Sequence, residues 1–514
     1  MSTTSYSPSG MVVSADQRAS RAGSDILRVG GGAVDAAIAA NAVLAVTAPH
    51  LCGLGGDLFA LVHRDGSSPL ALNASGRSGQ GADPSGLRAE GHATMPLFDD
   101  IRTVTVPGCV DGWLALHADH GTLTLEELFA PAIALADNGF EVSPLLAKVA
   151  VLAKGKAGAG DIAAAGGTDT IRRPGVARTL RAIAEHGRAG FYHGEFGEGL
   201  LKLGEGLFTA SDLERDNADW VEPLGVNVFG HRVWTAPPNS QGYLLALGLA
   251  VADGLDLPES PDDPSWAHLL IEASRVAGYD RPRLLHEGFD AAGLLASDEV
   301  ERRRGLIDPA HRAGLGHPAG DGDTTYLCAA DSSGRGVSLI QSNASGFGSR
   351  IFEPSTGIGL HNRGLGFSLV PGSPAEYSPG RRPPHTLAPA VVTRPNGRLR
   401  ALVGTMGGDS QPQILTQVIT RLLHGGQSPA EAIDAPRWRI ANRNGFDTWA
   451  DPGSTVIDME LAAPDSWNAL ESLGHRVSRV PDTFGHAQLI EADAAGMFDG
   501  AADPRARIGA VEGL

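Results

Sequence analysis

The sequence predicts an α/β protein, and three kinds of segment carry that expectation. Runs with helical spacing of apolar residues recur along the chain, Ala33–Val46 being the most apolar. Short alternating apolar segments flank Asp331-Ser332-Ser333-Gly334 and read as a β-hairpin. A glycine-rich joint, Gly404-Thr405-Met406-Gly407-Gly408-Asp409, passes from a strand directly into a helix. At 514 residues the length suggests two or three domains, although one large α/β unit also fits.

Composition narrows the function classes. The hydrophobic content of 42% suits an ordinary globular chain. A formal net charge of -18 argues against nucleic acid or an anionic membrane as partner, so positive charge near a substrate would be a local feature. Cys52, Cys109 and Cys328 are too few and too scattered for a disulfide scaffold or a zinc site. Met1–Gly10 is polar and carries no secretory pattern, and Ala33–Val46, interrupted by Asp35 and Asn41, falls short of a membrane span. A cytoplasmic location is the default expectation.

Taken in order, Ser14–Val29 has a helical pattern with Ser14 as cap, ended by Gly30-Gly31-Gly32, and Ala33–Val46 forms a second helix that stops before Pro49. The three glycines do not make a dinucleotide loop, because a helix precedes them where that fingerprint needs a strand. Gly53-Leu54-Gly55-Gly56-Asp57 leads into a strand, Leu58–Val62, with Leu70–Asn73 as its antiparallel partner. Val106-Pro107-Gly108 opens helices over Val110–Ala118 and Thr124–Asn138, the latter with Thr124 and Glu127 as a capping box. His117 and His120 have a spacing a metal could use, but with no third ligand nearby they read as surface histidines, and no metal or cofactor is expected. Lys154–Thr170 reads as a flexible surface segment, and Val176–His186, Gln241–Gly254 and Trp266–Tyr279 as helices.

Arg302–Gly320 is loop-like, and Gly322-Asp323-Thr324-Thr325 follows at the loop-to-strand junction. A cut between Asp323 and Thr324 would leave Thr324 as a new N-terminus, with its own α-amine beside its hydroxyl. That amine, with an ordinary pKa of about 7.7–8.0, can take the hydroxyl proton near neutral pH. Strand propensity alone also explains a Thr-Thr pair at this place. Further on, Phe347–Arg350, Gly357–Arg363 and Arg381–Thr386 are donor-rich loops, Ala390–Val392 and Leu399–Val403 are strands, and a helix covers Gln413–Leu423. Gly407-Gly408 before that helix offers backbone N–H groups to an anion, or is a simple turn. Gly408-Asp409-Ser410-Gln411-Pro412 lacks the last glycine of a nucleophile elbow, which disfavours a serine hydrolase of that type. Phe484–Arg505 reads as two last strands and a polar end.

Together these pieces resemble the γ-glutamyltransferase family of self-processing N-terminal-nucleophile (Ntn) hydrolases. The resemblance rests on Gly30–Ala37, Pro49-His50, Gly53–Gly56, Val106–Gly108, Pro131–Ala136, Thr324-Thr325, Phe347–Ser349, Gly407-Gly408 and Ala502–Arg505, in the family's order. It implies a four-layer αββα sandwich and a proenzyme that cuts itself into residues 1–323 and 324–514, two chains that stay together; a homodimer of such pairs is one assembly open to it. By position, Thr324 matches the nucleophile, Ser342 the hydroxyl that orients it, and Gly407 with Gly408 the oxyanion-hole amides.

The departures bear on substrate. Where the family grips an α-carboxylate with arginine, this chain has Ser75, with Arg77 two residues later. Around the substrate ammonium it has Arg363 and Gly366 in place of a Gln and an Asp, and the paired serines fall on His385-Thr386. Like charges 4 Å apart repel by about 4 kcal/mol at an effective dielectric near 20, so Arg363 disfavours a γ-glutamyl group and favours an acyl group that ends in a carboxylate. Asn362-Arg363-Gly364, Pro384–Leu387 and Met406–Asp409 resemble the family's oxamate amidohydrolase branch. The expectation is a small acidic amide bound by Arg77, Arg363, His385 and Thr386. The alternatives are C–C cleavage of an oxalyl-type group in a biosynthetic pathway, γ-glutamyl hydrolysis or transfer, and an uncut binding protein.

Overall fold

A computed structural model describes residues 1–315, 323–441 and 456–514. Gly322, ahead of the expected cut, and His317–Gly320 of the loop before it lie outside the described residues.

Two seven-stranded antiparallel sheets stack face to face among the described residues. The first runs Ala510–Gly513, Gly10–Ser14, Asp323–Asp331, Gly336–Ala344, Asp57–His63, Leu70–Ala74, Asp219–Val221 in spatial order. The second runs Thr3–Ser7, Phe498–Ala502, Gln488–Ala492, Leu399–Gly404, Ala390–Thr393, His231–Thr235, Leu224–Val228. Each sheet takes strands from both sides of Thr324.

The period of two along each strand divides the core into layers. In the hairpin strand, Tyr326, Cys328 and Ala330 face the layer between the sheets, where Phe59, Leu61, Val391, Leu402 and Ile490 meet them. Leu327 and Ala329 point the other way, into a cluster with the helix Ala33–Thr47. That helix is buried at every position, which its alanine-rich, all-round apolar sequence allows. Over the second sheet, Gly242–Ala252, Pro264–Gly278 and Gln411–Leu423 form the outer helical layer against Val233, Val392, Val403 and Leu489. The order helix, sheet, sheet, helix is the αββα sandwich that the resemblance implies.

Most elements fall where expected, with a few corrections. The first helix runs Gln17–Arg28 and is capped by Asp16, because Ser14 ends a strand. The capping box of Thr124 with Glu127 is present on Leu125–Asn138. Lys154–Thr170 is not simply surface: Gly160–Ala164 is helical, Ala159 and Ile162 are buried, and Arg173 fixes the turn through Asp161 at 3.2 Å. Arg302–Arg304 close a helix, Ser297–Arg304. The polar ends, Thr3–Ser7 and Ala510–Gly513, are edge strands, which backbone pairing alone can sustain.

The core also holds histidines. Burial pushes His50, His385 and His475 down to about 3 and His63 to about 4, so all four are neutral in the fold. A free histidine titrates near 6.5, so below that pH the unfolded chain binds protons the folded chain does not. Stability is therefore complete above pH ~6.5 and falls as pH drops towards 4, by up to about 1.4 kcal/mol per pH unit for each such group. Denaturant unfolding at pH 7 and pH 5 should show a loss of several kcal/mol, on the order that these groups supply together. Equal stabilities would mean that these histidines are not held neutral.

Candidate active site

The hairpin places the nucleophile candidate. Asp323 pairs with Ala344 and Thr325 with Gln341, so Thr324 stands opposite two residues, Ser342 and Asn343, at a bulge whose extra residue lies on the partner strand, a device that re-aims a side chain. Its hydroxyl points at Ser342 on the neighbouring strand, Thr324 Oγ1 donating to Ser342 Oγ at 3.2 Å. Gln411 Nε2 donates to the same Thr324 oxygen at 3.1 Å. Ser342 Oγ also accepts from Arg363 Nη2 at 3.0 Å and from the Ala344 amide at 2.8 Å. The other arm of that guanidinium, Nη1, donates to Thr386 Oγ1 at 3.1 Å. One hydrogen-bonded line thus joins Gln411, Thr324, Ser342, Arg363 and Thr386, all buried.

Arg363 opens a short turn, Arg363–Gly366, whose close packing requires glycine: a Cβ on Gly364 would lie 2.5 Å from the Thr103 carbonyl oxygen. Burying a guanidinium costs several kcal/mol unless neighbours replace its water; the two hydroxyls do part of this. In the continuous chain the α-nitrogen of Thr324 is a peptide nitrogen. The base that a threonine nucleophile needs therefore exists only after scission.

Asp57 anchors the walls. It stands opposite Ser342 in the sheet, and its carboxylate accepts from the Gly76 amide at 2.9 Å and from His385 Nε2 at 3.0 Å, with His361 Nδ1 at 3.5 Å. Burial alone would raise this carboxyl; the two imidazoles and the Gly76 amide outweigh it and keep Asp57 below the ordinary carboxylate range. His385, pushed down by burial and then by the Arg363 charge, is neutral, and its Nδ1 accepts from the Leu387 amide at 3.4 Å. Both ring nitrogens of His385 are thus engaged by the chain. Through these contacts it holds the segment that carries Thr386. The Arg77 guanidinium pairs with Glu287 and donates to the Gly380 carbonyl at 3.2 Å. Ser75, at the place the family gives to arginine, is locked to Asn73 at 2.7 Å and Asn239 at 3.2 Å.

Gly407 and Gly408 have φ of 137° and 57°, a backbone that favours glycine. Among the described residues neither amide N–H has an acceptor. Gln241 Nε2 fixes this loop to its neighbour, donating to the Gly408 and Thr386 carbonyl oxygens at 2.9 Å each. Gln411 follows shortly after, which ties the glycine loop to Thr324. Sequence reasoning missed Gln411, Asp57 and Gln241; Gln411 stands inside a motif legible only as a failed nucleophile elbow. Asp323 begins the strand that carries Thr324, so the expected scissile bond lies opposite the bulge.

Comparison with known proteins finds relatives along nearly the whole chain. A family model described as Gamma-glutamyltranspeptidase matches residues 19–513. The chain is 34% identical to a glutathione hydrolase-like proenzyme of Bacillus subtilis over 96% of its length and 97% of the relative's. It is 33% identical to an oxamate amidohydrolase proenzyme of Klebsiella pneumoniae over the whole of both chains. Among solved structures, the cephalosporin acylase from Bacillus halodurans superimposes with a TM-score of 0.90 at 33% identity, covering 99% of this chain and 97% of that one.

The Gln411 contact can be tested alone. Gln411→Leu keeps the size but removes the donor to Thr324 and the acceptor for the Ala388 amide. A folded variant should lose at least ~10-fold in kcat, on the order of one buried hydrogen bond. Wild-type turnover would mean that Gln411 has no part in orienting Thr324.

Proposed function

Because the chain belongs to the γ-glutamyltranspeptidase family, and its relatives include hydrolases and acylases, we propose that it is a proenzyme whose Thr324, freed by self-cleavage, hydrolyses a small amide bearing a carboxylate. The observation that carries this reading is the position of Arg363, one hydroxyl away from Thr324 through Ser342. A fixed cation so close to the nucleophile suits an acyl group that ends in a carboxylate near the scissile bond, and repels one that ends in an ammonium. The oxamate amidohydrolase relative supports the same class.

Maturation would begin with Thr324 Oγ attacking the Asp323 carbonyl carbon. The C–N bond breaks as the C–O bond forms, giving an ester and a free α-amine; water then hydrolyses the ester. In turnover that amine takes the Thr324 hydroxyl proton while Oγ attacks the substrate carbonyl, and the oxyanion turns to the N–H groups of Gly407 and Gly408. Collapse expels the leaving amine, which collects the proton held by the α-ammonium. Water, activated by the same α-amine, then releases the acid and restores the hydroxyl.

Denaturing electrophoresis tests the first half: wild type should give two bands, Thr324→Ala one band and no turnover, and Thr324→Ser some of both. A single band from a fully active preparation would overturn the scheme. The second half is a substrate ranking, in which oxamate-like or dicarboxylic monoamides should turn over faster than γ-glutamyl anilides. Arg363→Gln should lower kcat/KM for the acidic amides by ~10–100-fold, the scale of a hydrogen bond to a charged group. The reverse ranking would exclude this substrate class while leaving the self-cleavage intact.

A further inference from the structure

Away from the active site, His268, Glu272 and His475 bring one ligand atom each to within 4.8 Å of one another, and all three are buried. His268 and Glu272 lie four residues apart on one face of the helix Pro264–Gly278, a spacing that aims both side chains at the same point. His475 comes from the turn after Gly474, whose φ of 91° lets the chain reverse there. His268 Nδ1 stands 2.9 Å from His475 Nε2, and that nitrogen is 3.8 Å from Glu272 Oε1.

Neighbouring groups set the tautomer. His268 Nε2 is 2.9 Å from the Asp308 carbonyl oxygen, which can only accept, so the proton sits on Nε2 and Nδ1 turns a lone pair towards His475. A carbonyl on the far ring nitrogen is the usual outer support of a metal-bound histidine. Glu272 is oriented in the same way, its Oε2 accepting from the Ala313 amide at 2.8 Å.

We propose that His268 Nδ1, His475 Nε2 and Glu272 Oε1 form a binding site for a divalent transition-metal ion of the zinc class. The cation takes the place of the proton shared between the two imidazoles, which moves to His475 Nδ1, an atom with no partner among the described residues. Two nitrogens at 2.0–2.1 Å in tetrahedral geometry stand about 3.3 Å apart, so the pair opens by a few tenths of an ångström. Imidazole with carboxylate selects Zn²⁺, Co²⁺ or Ni²⁺ over Mg²⁺ and Ca²⁺. Two cations oppose the ion: Arg275 donates to Glu272 Oε1 at 2.6 Å, and Arg312 lies nearby, its backbone amide bonded to the Leu473 carbonyl at 2.7 Å. The affinity is accordingly moderate, and the Arg312 charge is a handle on it. If the two-chain reading is right, the ligands come from both products, His268 and Glu272 from the first and His475 from the second, and the metal is a clasp between them.

The experiment strips the purified full-length protein with a chelator, titrates it with Zn²⁺, and counts bound metal; Co²⁺ in place of zinc reports ligand geometry by its visible absorption. One equivalent per chain is expected, with affinity reduced at least ~10–100-fold in His268→Gln and in His475→Gln, the scale seen even for outer partners of metal ligands. Arg312→Gln should tighten binding several-fold, which an adventitious surface site would not show. Wild-type protein that holds less than a tenth of an equivalent, or histidine variants that bind as wild type does, overturns the proposal. Because metal content is read independently of the denaturing gel, a chain that binds zinc without being cut removes only the clasp.

Discussion

The pairing of Asp323–Asp331 with Gly336–Ala344 is the constraint on which the rest of the site depends. These are central strands of the first sheet, flanked by Gly10–Ser14 on one side and Asp57–His63 on the other, and their inward and outward residues belong to two different core layers. A slip by one residue would exchange those faces and move Leu327 and Ala329 into the space of Tyr326 and Cys328. The freedom that is left lies at the bulge, where Thr324 faces Ser342 and Asn343 and its hydroxyl donates to Ser342. Burial of the hairpin therefore fixes the direction of the Thr324 side chain, and the hydroxyl geometry is a by-product of core packing.

Charge is arranged around that hydroxyl pair with the same economy. The chain is acidic as a whole, yet the groups nearest Thr324 include a buried arginine and a buried aspartate on separate partners. Arg363 reaches the hydroxyls, while Asp57 is saturated by His385, His361 and Gly76 and so does not compete as a counter-ion within one hydrogen bond of Thr324. In a medium of low dielectric a charge so placed acts more strongly on its surroundings than it would in water. The role left to Asp57 is mechanical. Through Gly76 it holds the loop that carries Ser75, and through His385 the segment that carries Thr386, so the two walls are set by one carboxylate.

What is legible in the sequence follows from this arrangement. The helices read well because their apolar runs are long and sharply bounded, as in Ala33–Thr47 and Gly242–Ala252. Motifs name Thr324, Ser342, Arg363 and Thr386, and the fold does bring them together. Motifs name Arg77 and His385 as well, but a motif gives a position along the chain and says nothing of direction: Glu287, some two hundred residues away, takes Arg77, and Asp57 takes His385. Gln411 and Asp57 reach the site across long stretches of chain, and no local spacing announces them. The edge strands Thr3–Ser7 and Ala510–Gly513 escape for a different reason, since a strand held by backbone pairing needs no apolar alternation.

The interleaving of strands has a consequence for any cut at the bulge. Residues before and after Thr324 alternate through both sheets: Gly10–Ser14 and Asp57–His63 sandwich the hairpin, and Ala390–Thr393 lies between His231–Thr235 and Leu399–Gly404. Separating the two products would strip whole strands out of both ladders and open all the apolar layers, so scission removes one covalent bond without creating a dissociable interface. Such a cut can be confined to the register shift, where Thr324 faces two residues of the partner strand. A sandwich of this kind would tolerate a broken chain at this strand because continuity of the sheet, rather than continuity of the backbone, holds Thr324 in place.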